Sequence, residues 1–292
     1  MEIILAAEAG FCFGVRRALE MAEAATGEHD RVFSLGPLIH NPQVVERLAQ
    51  QGLVVCDQLE EIPTGAVAMI RAHGTGPAIY PEAEQRGITL IDATCPFVSR
   101  VHEKAAHFSE QGYQVLVLGD PNHPEAQGIV AHTGGAARIV EGARDLEGLR
   151  LSPRVAVVCQ TTQTPEALRE LVDALLPRVA EVVVANTICD ATAKRQEASL
   201  SLAHEVDVII VIGGYHSANT RRLTEICGAT GTPTYHIESA GELREEWVAG
   251  ARRVGVTAGA STPAEAISEV LARLEEIAAQ TETAPGPDKE TA

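Results

Sequence analysis

The sequence predicts an α/β protein built from three related parallel-sheet modules. Short Val/Ile-rich runs alternate with helix-period runs, the pattern of βα units. Four kinds of block recur three times in the same order. The spacing also repeats, because Cys12 to His40, Cys95 to His123 and Cys189 to Ser217 are each 28 residues apart. A register held that long marks an internal repeat. The expected modules are residues 1–94, 95–188 and 189–280, related by a pseudo-threefold. The remaining stretch, 281–292, is polar, contains Pro and Gly, and is expected to be a disordered tail.

The first block is a strand, a cysteine and a helix: "IILAAEAGFCFGVRRALEMA", "ITLIDATCPFVSRVHEKA" and "VVVANTICDATAKRQEASLSLA". The second is a strand, a Gly turn and a polar residue at the next helix start: "VFSLGPLIHNPQVVERL", "VLVLGDPNHPEAQGI" and "VIIVIGGYHSANTRRL". The third is a short strand with an acidic turn, as in "LVVCDQLEEI". The fourth is a strand, a small-residue turn, a Pro and a helix, as in "VGVTAGASTPAEAISEVL". Ligands of open parallel sheets bind at the carboxyl ends of strands. The repeated cysteines and polar turn residues all occupy such ends.

Composition narrows the function. The net charge of −17 argues against nucleic acid, which needs a basic footprint. No apolar run reaches the roughly 18 residues of a membrane span, and the start has no basic signal-peptide region. The expected location is the cytoplasm, where structural disulfides are rare. The six cysteines are then core residues, catalysts or metal ligands.

Pro96 suits the first helical position, so Cys95 stands just before a helix N-terminus, as Cys12 and Cys189 do. That position is expected to favour the thiolate, the form that ligates metal. Three thiolates, one per module, can hold zinc or an iron–sulfur cluster. No CxxC pair of the usual zinc kind occurs. Four cysteines complete an ordinary [4Fe-4S] cluster, so three leave one iron open to a substrate oxygen. Any one of these cysteines alone reads as buried core; recurrence at one kind of position favours the metal. Cys56 and Cys227 read as core, and Cys159 as a structural residue beside the site.

His40, His73, His123, Ser217, Asn219, Ser261 and Thr161 lie at strand-to-helix turns. Helix N-termini there offer unpaired N–H groups, and the side chains add donors, which suits phosphate or diphosphate. For each Ser, Thr or Asn the plain alternative is N-capping. The other seven histidines read as surface or packing residues. Glu125 stands at a second-block turn. It is either a helix-dipole carboxylate or, beside a metal-bound oxygen, a general acid, with Thr161 orienting the proton.

The motifs "GFCFGVRRA", "HNPQVV", "AHG", "DATCPFVSRVH", "GDPNHPEAQG", "QTTQT", "NTICDATAKRQEA", "SANTRRL" and "GVTAGASTP" resemble those of the 4-hydroxy-3-methylbut-2-enyl diphosphate reductase (LytB, IspH) family. The resemblance spans about residues 3–275. It implies a three-lobed α/β fold around a central iron–sulfur cluster. It also implies reductive dehydroxylation of an allylic diphosphate to isopentenyl and dimethylallyl diphosphate, the last step of the non-mevalonate isoprenoid pathway. The cofactor implied is one [4Fe-4S] cluster on Cys12, Cys95 and Cys189. The substrate-binding set is His40, His73, His123, Ser217, Ala218, Asn219 and Ser261, and the catalytic pair Glu125 and Thr161. The electron donor implied is of ferredoxin or flavodoxin type. Many relatives carry a second Ser where this chain has Ala218, whose backbone N–H can still donate. The competing readings are a redox-neutral dehydratase using the same open iron, a non-catalytic iron–sulfur sensor, and a zinc-stabilised scaffold.

Overall fold

The computed structural model describes residues 1–283. Its strands are β1 (Glu2–Leu5), β2 (Val32–Leu35), β3 (Leu53–Cys56), β4 (Val67–Ile70), β5 (Thr89–Asp92), β6 (Gln114–Leu118), β7 (Arg138–Val140), β8 (Arg154–Cys159), β9 (Glu181–Ala185), β10 (Val208–Ile212), β11 (Thr234–Ile237) and β12 (Arg253–Ala258). Its helices are α1 (Phe13–Glu28), α2 (Pro42–Gln50), α3 (Ile79–Gln85), α4 (Pro96–Glu110), α5 (Pro124–Ala131), α6 (Pro165–Leu175), α7 (Asp190–Ala203), α8 (Ala218–Gly228), α9 (Glu245–Val248) and α10 (Ala264–Thr283). No helix among the described residues is long and apolar enough to cross a membrane. The expected disordered tail begins at 281, but α10 runs to Thr283; the rest of that tail lies outside the described residues.

The strands form three four-stranded sheets, ordered β3-β2-β4-β5, β7-β6-β8-β9 and β11-β10-β12-β1, all parallel. The order is the same in each sheet, so the threefold α/β repeat is borne out. The central strands are buried on both faces, as helix-covered parallel strands must be. Ile209, Ile210, Val211 and Ile212 are all fully enclosed, as are Leu116, Val117 and Leu118. Each third-block strand leads into a 3₁₀ turn: Leu59–Glu61, Ala143–Leu146 and Ala240–Glu242.

Sheet membership is offset by one strand from the module bounds read in the sequence. β1 lies in the span 1–94, yet it pairs with β12 in register Glu2 to Arg253. The reason is edge completion. β1 resembles β5 and β9, which are the fourth strands of their sheets, and among the described residues no strand follows β12 to fill that place. An uncovered β12 would expose a row of backbone groups. The partition at 94 and 188 stands as our proposal for the repeating unit.

By compactness the chain divides into two units, residues 1–11 with 194 onward, and residues 12–193. The first holds the β11-β10-β12-β1 sheet. The second holds the other two. In every sheet the connections diverge between the two central strands, which opens a crevice at their carboxyl ends. His40, His123 and Ser217 lie five residues beyond the ends of those strands, Leu35, Leu118 and Ile212. The sequence spacing of 28 is therefore a spacing between equivalent corners of the fold.

Candidate active site

Unit 12–193 carries all three repeated cysteines. Cys12 and Cys95 are the N-caps of α1 and α4, with extended backbones. Cys189 precedes α7, and its carbonyl accepts the Ala193 N–H at 2.9 Å. Gly14 shows how closely two of the thiols approach. A Cβ placed there would lie 2.6 Å from the Cys95 Sγ and 4.0 Å from the Cys12 Sγ. The Cys95 sulfur therefore sits in the hollow that the missing side chain leaves, with the Cys12 sulfur at its border. Arg17 ties the pair together, donating from α1 to the Thr94 carbonyl beside Cys95 at 3.1 Å. Cys189 is near enough to Cys12 for their charges to interact.

The thiols do not titrate as their helix positions alone suggest. Burial pushes the Cys95 and Cys189 thiols up, and the neighbouring thiols push the same way. First-turn N–H groups, Phe97 and Val98 for one and Ala191 and Thr192 for the other, oppose this without overcoming it. Burial and nearby would-be anions thus raise the cost of ionising Cys95 and Cys189. A bound cation reverses that balance, since a coordinating thiol is deprotonated outright. Three soft sulfur donors around one hollow fit an iron–sulfur cluster or zinc.

Beside them stand three imidazoles. His40, His73 and His123 have ring centroids 4.4, 5.3 and 5.2 Å apart, and their ligand nitrogens lie within 4.8 Å of one another. His73 is held well below the usual histidine range by burial, then by His40, His123 and Arg71. Its ring is partly accessible, but its Nδ1 is buried and has no hydrogen-bond partner. His123 caps α5, its Nδ1 accepting the Glu125 N–H at 3.2 Å. In the neutral ring that leaves the proton on Nε2, as a donor.

Glu125 is 2% exposed. Burial raises its carboxyl to about 7, against the pull of two bonds from Thr161. The Thr161 N–H donates to Oε1 at 2.6 Å and its hydroxyl to Oε2 at 3.0 Å. The Thr161 carbonyl accepts the Cys189 N–H at 3.0 Å. One residue thus joins the carboxyl to the backbone of the third cysteine. A carboxyl that titrates near neutrality is suited to proton donation.

The other predicted residues lie in the first compact unit, with the β11-β10-β12-β1 sheet. Ser217 caps α8, its hydroxyl accepting the Thr220 N–H at 3.4 Å, and Ala218 is the first helical residue. Asn219 is buried with neither carboxamide atom bonded. Ser261 is buried in the turn after β12. Gly213 and Gly259 leave room for Thr220: a Cβ at either would press within 2.7 Å of its Oγ1. His216 is exposed.

A family profile described as LytB protein matches residues 3–275. The chain belongs to the LytB family. The resemblance read from the motifs is borne out over the span expected. A 4-hydroxy-3-methylbut-2-enyl diphosphate reductase of Geobacter sulfurreducens is 49% identical over 277 residues, covering 95% of this chain and 98% of its own. Its namesake in Trichlorobacter lovleyi is 48% identical, covering 95% and 99%. A solved structure of (E)-4-hydroxy-3-methyl-but-2-enyl diphosphate reductase, described as the terminal enzyme of the non-mevalonate pathway, is 44% identical. It covers 94% of this chain and 100% of its own, with a TM-score of 0.68. The E-1-hydroxy-2-methyl-but-2-enyl-4-diphosphate reductase from Plasmodium falciparum is 26% identical with a TM-score of 0.87, covering 94% and 87%.

Several residues of this LytB chain escaped the sequence reading. Gly14 stands in the "GFCFG" motif, but its role lies in space left beside a sulfur, which no pattern announces. Thr187 braces β8 by bonding both the N–H and the carbonyl of Cys159 at 2.7 Å. Cys159 is fully buried and its thiol is pushed up to about 12, so it is structural. Cys56 and Cys227 are buried as expected.

Proposed function

We propose that this LytB chain reduces 4-hydroxy-3-methylbut-2-enyl diphosphate to isopentenyl and dimethylallyl diphosphate, the terminal step of the non-mevalonate pathway. The observation that carries the mechanism is the path from Glu125 through Thr161 to Cys189. It links a carboxyl that titrates near 7 to the backbone of the third cysteine. Cys12, Cys95 and Cys189 would hold a [4Fe-4S] cluster, whose fit rests on the Gly14 hollow and the three-sulfur donor set. When bound, the cluster would pass on the donor's electrons one at a time and supply a Lewis-acidic iron.

The chain's own residues do the rest. Glu125 gives its proton to the departing hydroxyl, which leaves as water. The Thr161 hydroxyl and N–H hold both carboxyl oxygens in place for that transfer. Two electrons and a second proton reach the carbon skeleton, and the allylic end that takes the proton decides the product. His40, His73 and His123 bind the diphosphate with Ser217, Asn219, Ser261 and the Ala218 N–H. Burial around Glu125 keeps competing water away from the reacting carbon. A carrier of ferredoxin or flavodoxin type is the expected electron donor. Six free thiols suit a reducing compartment such as the cytoplasm.

An anaerobic Mössbauer spectrum with and without substrate tests this reading. A distinct iron that shifts with substrate supports it. A zinc-only protein, or four irons that ignore the substrate, would remove the mechanism.

The histidine trio offers a separate check. An anion among neutral imidazoles raises their pKa, so binding takes up protons and tightens as pH falls. Inorganic diphosphate is expected to bind with net proton uptake at pH 7, read by calorimetry in buffers of different ionisation enthalpy. The same three rings can also take a divalent metal. That reading predicts no proton uptake, because a neutral imidazole ligates a metal without gaining a proton.

Asn219 supplies a stability counterpart. Its buried, unbonded carboxamide costs the ligand-free protein about 1–3 kcal/mol. Asn219→Leu, close in size, is expected to raise the ligand-free unfolding midpoint while weakening diphosphate binding. A lower midpoint would show that the carboxamide has partners in solution.

A further inference from the structure

Two histidines that the mechanism does not use, His102 buried and His132 part-buried, form a stack beside the loop that carries His73. His102 lies on α4, seven residues and two turns after Cys95. His132 is the residue that ends α5, the helix carrying Glu125. Their rings are 4.1 Å apart and 17° from parallel. Burial holds both below the ordinary histidine range, His102 at about 4, so both rings are neutral at pH 7 and do not repel.

The stack touches three elements that carry site residues. A Cβ at Gly74, the residue after His73, would lie 2.6 Å from His102 Cε1, and Gly74 has φ +73°. A Cβ at Gly128, one turn after Glu125, would lie 3.3 Å from His102 Nε2. The flat ring therefore fills a slot between two glycines, one beside His73 and one on α5. His132 grips the same loop, its Nε2 lying 3.1 Å from the Thr75 carbonyl. A carbonyl only accepts, so that nitrogen carries the proton. The His102 Nε2 is buried without a hydrogen bond, a cost that an apolar packing residue would not carry.

We propose that His102 and His132 are positioning residues that fix the loop 72–75 and thereby the place of His73 in the diphosphate site. The proposal rests on the reading of the histidine trio as an anion site. The His132 N–H sets the loop through Thr75, and the His102 ring sets its distance from α5 through Gly74 and Gly128. A loosened loop weakens diphosphate binding, while Glu125 and Thr161 keep their bonds.

The test compares wild-type holoenzyme with His132→Phe, which keeps a flat ring and loses the N–H, and His132→Gln, which restores an N–H donor. The Kd for inorganic diphosphate is read by calorimetry, with KM and kcat for turnover. In the Phe variant Kd and KM are expected to rise about tenfold, the loss of one such hydrogen bond, with kcat within about threefold. The Gln variant is expected to return both to within about threefold of wild type. If the Phe variant does not fold, His132→Leu removes the N–H in its place. Unchanged Kd in the removing variant, or equal losses in it and in the Gln variant, overturns the positioning role. A wild type that ignores diphosphate overturns the anion site and this proposal together.

Discussion

Glu125→Gln is expected to bind substrate within a few-fold of wild type and to turn it over about 10²- to 10⁴-fold more slowly, the usual contribution of a general acid. Gln keeps the size of Glu and can still meet Thr161, accepting the N–H through Oε1 and facing the hydroxyl with its amide. The one thing it lacks is a proton to give. Wild-type activity should decline as pH rises through about 7, where the carboxyl ionises, and the variant's residual rate should not follow that limb. Stability must fall with rising pH as well. The native carboxyl titrates at about 7 against 4.5 for the unperturbed group. Below pH 4.5 both states hold the proton and ionisation does not favour unfolding. Between pH 4.5 and 7 the unfolded chain ionises while the native carboxyl holds its proton, so stability falls by on the order of 3 kcal/mol and levels off above 7. Glu125→Gln should therefore match wild type in denaturant at pH 4.5 and exceed it at pH 8. Near-normal turnover would remove Glu125 from the chemistry. An unchanged stability difference between the two pH values would show that the carboxyl is not raised.

Gly14→Ala is expected to strip most of the cluster while leaving the metal-free protein as stable as before. The residue lies in the first turn of α1 with an ordinary helical backbone, where Ala is preferred over Gly by about 1 kcal/mol. Propensity alone favours the change. The new methyl, however, would start 2.6 Å from the Cys95 sulfur, so that sulfur must move into the space the three thiols share. Iron and sulfide content should fall with activity, and the unfolding midpoint of metal-free protein should hold or rise. Cys95→Ser is the harsher companion. It removes a donor outright, and activity should drop by more than about 100-fold, beyond the usual cost of losing an outer partner. Full cluster content in Gly14→Ala would mean that the hollow above Gly14 is not where the cluster sits.

The repeat in the sequence led directly to the corners of the fold. Cys12, Cys95 and Cys189 each stand at a helix start, and His40, His123 and Ser217 each stand five residues past a central strand. Local pattern suffices there, because strand length, turn and cap are encoded within about a dozen residues. The thiol pKa was misjudged for the same reason. A helix N-terminus is visible in a sequence, but the burial and mutual repulsion that outweigh it at Cys95 come from distant segments. The His102–His132 stack was equally hidden. His102 is one polar residue inside α4, and nothing local indicates that Gly74 and Gly128 will close on it. The partner of β1 depends on which sheet lacks a fourth strand, a property of the whole chain.

That last pairing also sets an order of events. Glu2 is made some 250 residues ahead of its partner Arg253. The other two sheets draw all their strands from one contiguous stretch, Val32 to Ala185, and can close while synthesis continues. The sheet of β10, β11 and β12 takes up a strand made well ahead of them and held unpaired meanwhile. Contacts so distant in sequence close slowly. A chain cut shortly before β12 would leave β1 with no neighbour, next to the cysteine that opens α1. Removing the first six residues would bare one side of β12 in an otherwise finished protein. β1 and β12 are thus neighbours in space although the two other sheets are synthesised between them.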